Sequence, residues 1–147
     1  MLKWLLLALF TALLFFGACQ TEKTNTEMLT GNTWRIIAWT VSPPIMGITD
    51  WYANSEPCET DNLYSFATNG TATVDEGPTK CNASDPQTNT GNWAFNTAET
   101  QLTIISEGVT QVWEIEELTS SLMKIRYTLE DNATGGSHLN NITFKAQ

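Results

Sequence analysis

The stretch VTQVWEIEELTSSLMKIRYTLED, residues 109–131, decides the fold class. Apolar side chains recur there at alternate positions: Trp113 and Ile115 on one side of a polar centre, Met123, Ile125, Tyr127 and Leu129 on the other. A period of two puts one face of a β-strand on a core, because successive side chains point to opposite sides. The positions between hold Glu114, Glu116, Lys124 and Arg126, as a solvated face would. Register gives an independent check, since a slip of one residue would turn the whole apolar set outward. Pairing Trp113 with Tyr127 and Ile115 with Ile125 also sets Glu114 against Arg126 and Glu116 against Lys124, a favourable cross-strand arrangement. Thr119-Ser120-Ser121 is left as the loop. The stretch reads as an antiparallel hairpin with one wet face.

Outward from this hairpin the same alternation recurs. With residues 109–117 and 122–130, the runs 33–41, 62–68, 71–76, 92–97, 101–106 and 138–146 make eight strand candidates. Their apolar faces are Trp34, Ile36 and Ala38; Tyr64 and Phe66; Ala72 and Val74; Trp93 and Phe95; Leu102 and Ile104; Ile142 and Phe144. No window of eleven or more residues carries a clean helical stripe. Tight turns at Asn69-Gly70 and Glu107-Gly108 separate successive strands. At the first of these, Gly70 as a bulge pairs Phe66 with Ala72 and Tyr64 with Val74. Eight up-and-down strands with one apolar face can close into an antiparallel β-barrel, which removes exposed edges. A two-sheet sandwich is the alternative that periodicity leaves open. The long connections favour the barrel: about 42–61, 77–91 and 131–137 all fall at one end of a meander, an open mouth. The chain enters strand one at the other, closed end.

The 147 residues carry 16 Asp+Glu against 7 Lys+Arg, for a net charge of −9. That balance excludes a nucleic-acid partner, since phosphates are neutralised by Lys and Arg. One histidine, His138, leaves a histidine-rich metal site nothing to draw on, and its default role is a rim residue. Residues 1–18 have one early cation, Lys3, then an apolar run too short to span a bilayer, closed by Gly17-Ala18. This is the pattern of a secretory signal peptide. Cys19 follows at once, as in the bacterial lipobox, whose cysteine is lipidated; Phe16 stands where Leu is usual. The expected product is a bacterial lipoprotein held in the membrane by acyl chains on Cys19. Gln20 behind that cysteine is compatible with delivery to the outer membrane, on either its periplasmic or its surface face. Residues 19–30 are polar and read as a flexible tether, leaving 31–147 as the domain. Export also favours a disulfide between Cys58 and Cys81, which have 22 residues between them and lie in connections at the same end. The bridge would contribute about 3 kcal/mol.

At this point the chain resembles the lipocalin-like domains of small Bacteroidetes-type lipoproteins. The resemblance covers about residues 28–146 and rests on five motifs in order. They are Leu29-Thr30-Gly31-Asn32-Thr33-Trp34, the run Cys58 to Gly70, Cys81, Gly91-Asn92-Trp93 and Trp113-Glu114-Ile115. Lipocalins proper carry Gly-x-Trp at the first strand; here Gly31-x-x-Trp34 is one residue longer, and Gly-x-Trp occurs at Gly91. Their late-strand Arg, stacked across that Trp, is not carried over, because the hairpin register turns Arg126 outward. The resemblance implies a barrel that holds a small apolar molecule.

The candidate site is the inward set Trp34, Ile36, Tyr64, Phe66, Trp93, Phe95, Trp113 and Tyr127, with Trp34 at the floor. Such rings either line a ligand cavity or simply fill the barrel, since eight strands are just wide enough for both. The unusually apolar connection after strand one offers a lid through Ile45, Met46, Trp51 and Tyr52, or else packs permanently on the rim. Acidic residues near the cysteines lack calcium-loop spacing, so no metal or cofactor is expected, nor any catalytic residue. The reading is an envelope-anchored carrier of a small hydrophobic molecule. The alternative is a solid barrel whose loop rim docks on another envelope protein.

Overall fold

A computed structural model describes residues 22–131 and 136–147. The expected signal peptide, Cys19, the first residues of the tether and the tip of the last mouth connection lie outside the described residues. The chain runs α1 (Asn25–Thr30), β1 (Thr33–Ile45), β2 (Ile48–Asp50), α2 (Trp51–Asn54), α3 (Pro57–Thr60), β3 (Leu63–Phe66) and β4 (Thr71–Asp75). It continues through β5 (Thr88–Phe95), β6 (Gln101–Ser106), β7 (Val109–Leu118), β8 (Leu122–Asp131) and β9 (Gly136–Ala146). Each strand from β3 to β9 pairs antiparallel with the next, and β1 pairs with both β3 and β9. The result is a closed eight-stranded up-and-down barrel, with β2 hung as an extra hairpin strand on β1.

Registers follow the apolar alternation where no residue is inserted. Between β3 and β4, Tyr64 faces Val74 and Phe66 faces Ala72, with Gly70 at φ 85° in the turn. Two bulges correct the rest. In β1 the pairing with β9 shifts between Ile36 and Ala38, so Trp39 faces Ile142 and Val41 faces Asn140. One extra residue exchanges the two faces beyond it. Ala38, expected inside, is therefore exposed, and Trp39 and Val41 turn in. In β7 the shift falls between Ile115 and Glu117. Glu114 still faces Arg126 and Ile115 faces Ile125, but Lys124 faces Glu117 and bridges it at 2.7 Å, where Glu116 was expected. The expected Trp113–Tyr127 rung is not formed. A bulge bends its strand and increases local twist, and the two strands diverge above it.

The closed end is plugged by the segment expected to be tether. Asn25–Thr30 is a helix, started by a capping box in which Thr24 Oγ1 accepts from the Glu27 N–H at 3.1 Å and Glu27 accepts from the Thr24 N–H at 2.8 Å. Thr26 and Asn25 bond Glu99 in the β5–β6 loop. Leu29 is fully buried, and its carbonyl accepts the Trp34 indole N–H at 2.9 Å. Gly91 is fixed by a close approach: a Cβ there would lie 2.5 Å from the Ile105 carbonyl. At the open end Cys58 and Cys81 are bridged, Cα–Cα 5.2 Å. The bridge ties the α3 segment to the β4–β5 connection.

Candidate functional site

Above the plug the barrel holds a cavity of about 250 Å³ that is open to solvent. Of the residues expected inside, Ile36, Tyr64, Phe66, Trp113 and Tyr127 line it. Trp34, Trp93 and Phe95 do not: Trp34 takes the floor position expected of it, whereas Trp93 and Phe95 correct the expectation. They are spent on the floor: Trp93 packs edge-on to Phe66 and Phe95, at 6.0 and 5.6 Å, and its indole N–H donates to the Ala67 carbonyl at 2.9 Å. The cavity instead gains Trp39, brought in by the β1 bulge, together with Ser106 and Gln111 near the mouth. Trp39 was hidden from the alternation because nothing in the sequence marks the extra residue. Gln111 shares the parity of Trp113, but a polar residue carries no apolar-alternation signal. Ile104, Ile142 and Phe144, expected on inward strand faces, complete much of the wall.

The polar groups in this wall are few and neutral. The Trp39 indole donates to Oδ1 of the buried Asn140 at 2.9 Å, and the Trp113 indole donates to Gln111 Oε1 at 3.0 Å. Neither the Tyr64 nor the Tyr127 hydroxyl has a hydrogen-bond partner among the described residues. Burial pushes the Tyr64 phenol up to about 12, helped by Tyr127, Glu76 and Glu59. Burial raises Tyr127 as well. Among the described lining residues there is no Asp, Glu, Lys, Arg or His. A charged guest would have no counter-ion here and would carry the full cost of leaving water.

The connection expected to be a lid is mostly ordered structure. β1 runs on to Ile45, and Met46-Gly47, at φ 52° and 82°, turns the chain so that Ile48 faces Ile45. That hairpin carries its tip outward: Met46 is 92% exposed, and neither it nor Ile45 lines the cavity, which corrects half of the expected lid. Trp51 and Tyr52 return to the barrel. The Trp51 ring lies 5.7 Å from Trp39, and the two residues line a second cleft of about 220 Å³ that shares Ile36, Trp39 and Tyr64 with the main cavity.

The acidic residues near the cysteines shape loops. Asp61 accepts from the Thr79 N–H at 3.1 Å and from the Thr79 hydroxyl. Asp75 accepts from Gln87 and the Gly77 N–H, and these bonds, Gln87 first, hold its carboxyl below the usual range. Among the described residues no three of His, Cys, Asp and Glu cluster as a metal site. His138 Nδ1 lies 2.9 Å from the Pro43 carbonyl at the rim.

Comparison with known proteins agrees with this geometry. The sequence profile of the lipocalin-like domain matches residues 29–125. No curated protein sequence matches the chain. Among solved structures, the odorant-binding protein from bovine nasal mucosa is similar at a TM-score of 0.51 and 13% identity, over 87% of this chain and 77% of that one. A deswapped triple mutant of the bovine odorant-binding protein gives 0.49 and 13%, over 82% and 74%. At such identity the likeness is one of fold.

Proposed function

The chain belongs to the lipocalin-like domain family, and from that premise we propose that it is a binding module holding a small, neutral, mostly apolar molecule in its barrel. The observation that carries this reading is the cavity of about 250 Å³ among the inward aromatics. A solid barrel would have none. A dry cavity of about 150 Å³ accepts benzene, so this one suits a guest of roughly ten non-hydrogen atoms. The bovine protein of similar fold is an odorant-binding protein, and small guests of that kind are consistent with this space. Unpartnered hydroxyls on Tyr64 and Tyr127 supply one polar contact to orient the guest, as the few polar groups of ligand pockets do. The protein binds rather than catalyses. It is exported and lipid-anchored through Cys19 to the bacterial outer membrane, a reading supported by the leader sequence. The described chain also begins beside the floor, which would leave the mouth facing away from the bilayer.

Native mass spectrometry of the protein taken from its own envelope tests this. A reproducible added mass of a small neutral compound is expected, lost when Ala72→Phe fills the cavity wall. A bare mass, together with tryptophan fluorescence unmoved by hydrophobic probes, would sink carriage in favour of rim docking on an envelope protein. The intact mass of the N-terminal peptide tests the anchor: unacylated Cys19 would remove it.

A further inference from the structure

The barrel wall is not closed to the same height all round. β7 starts at Val109 and β8 runs to Asp131, yet no rung joins them above Glu114–Arg126. Both strands keep their other neighbours over this span: Val109 to Trp113 pair with β6, and Tyr127 to Glu130 pair with β9. The seam between them is therefore open in a wall that is otherwise continuous on either side. A groove of about 740 Å³ occupies it.

This groove is lined by residues of both strand parities. Val112 and Thr128 lie on the outer face by strand parity, whereas Gln111 and Tyr127 lie on the inner face, and all four line the groove. Gln111 and Tyr127 line the inner cavity too, so at the open seam the groove and the cavity are divided by these two residues alone among the described lining residues. Val112 and Leu139, of outer parity, are 46% and 38% exposed, and Val109 and Leu129, of inner parity at the mouth, are 59% and 45% exposed. All four line the groove, giving it an apolar track near the mouth. Glu114 and Arg126 close its lower end and neutralise each other at 2.6 Å.

We propose that the β7–β8 seam is a lateral doorway, and that the guest is a neutral straight-chain amphiphile too long for the cavity alone. Its polar end lies inside, within reach of the Tyr64 and Tyr127 hydroxyls. Its alkyl chain leaves between Gln111 and Tyr127 and lies along the outer track formed by Val112 and Leu139. This rests on the reading of the barrel as a ligand-binding module and goes further in naming the shape of the ligand and the route it takes.

The test is calorimetric titration of the full chain with hexanol, octanol, decanol and dodecanol. A burial of about 0.8 kcal/mol per methylene is close to fourfold in affinity. With one side of the track open to water, each methylene beyond octanol should tighten binding by roughly two- to fourfold. V112E/L139E places charges on two solvent-facing positions of the track. It should leave hexanol affinity unchanged and abolish the gain from octanol to dodecanol. V112T/L139T, which adds no charge, should reduce the same gain. Affinity that levels off or falls beyond octanol in the unaltered protein overturns the doorway while leaving the binding reading standing. An equal loss for hexanol and dodecanol in both variants overturns it as well. Failure of every alcohol to bind removes the binding reading first and the doorway with it.

Discussion

The floor and the mouth of this barrel are made by the same eight strands and solve opposite problems. At the floor, rungs persist to the turns, with Trp34 on Ala146, Met123 on Leu118 and Leu102 on Phe95. Leu29, Trp34, Leu102 and Met123 are fully buried there, and the indole N–H groups of Trp34 and Trp93 are met by backbone carbonyls. Towards the mouth, β7 and β8 part, β1 shares only two rungs with β3, and the cavity is lined by Tyr64 and Tyr127, whose hydroxyls have no partner among the described residues. The short β1–β3 seam is flanked by the β2–α2–α3 connection, with Trp51 on Trp39 and the Cys58–Cys81 bridge holding it down. The difference teaches where the free energy of this fold resides. Local stability is uneven in folded proteins, and binding regions come from the weaker end. Here the floor supplies the packing that lets the mouth keep a hole.

The strongest way to break that division is to empty the floor. Trp34→Ala removes a fully buried ring and orphans the Leu29 carbonyl, and should cost about 3–5 kcal/mol in urea unfolding. A loss below 1 kcal/mol would mean the plug is not where the stability lies. Next in size is the staple. Cys58→Ser with Cys81→Ser should cost about 3 kcal/mol. In hydrogen exchange, protection should fall in α2, α3 and residues 76–87 while Ile125 and Phe144 stay protected. Equal loss at both ends would erase the distinction between floor and mouth.

A smaller effect comes from the cavity wall itself. The folded Tyr64 phenol is raised to about 12 from 10.0, with burial as the main cause. The folded state thus holds this proton more tightly than the unfolded chain does. The associated stability is complete below about pH 10 and is lost as pH rises towards 12, a fall of roughly 2 kcal/mol. Tyr64→Phe should flatten the stability profile in that window and remove one of the two late phases of the ultraviolet phenolate titration, leaving the one that belongs to Tyr127. Two late phases surviving in Tyr64→Phe would show that the more strongly raised phenol lies elsewhere.

The strands, the meander and the end at which the cysteines meet were legible because a period of two and the parity of connections are carried by residue types. The β3–β4 register was legible for the same reason, down to Phe66 on Ala72. What stayed hidden was one residue long. The bulges at Ile37 and Glu116 alter no composition, yet the first exchanges Ala38 for Trp39 in the cavity wall. The plug helix has six residues, too few to show a stripe, although Thr24-x-x-Glu27 carried a capping-box signature ahead of Met28 and Leu29. Inward alternation picked out Trp34, Trp93 and Phe95 as readily as Tyr64 and Phe66. It reports which face a ring is on and says nothing of its height in the barrel, which divides floor from cavity. The open seam left no trace at all, since Trp113 and Tyr127 look like ideal partners.

The finest test of the comparison lies just below that seam, where the hairpin changes register. Lys124 bridges Glu117 at 2.7 Å, with both side chains a little under half exposed. An exposed pair of this kind couples by about 0.2–1 kcal/mol. A double-mutant cycle of Lys124→Ala with Glu117→Ala should recover that coupling, weakened in high salt. The matching cycle with Glu116→Ala should give none, although unbroken alternation points to Glu116. Coupling to Glu116 in place of Glu117 would mean that the bulge is absent and the two strands run in one register. The rungs above Arg126 would then have no reason to part, and the wall would close as high at β7–β8 as it does at β6–β7 and β8–β9.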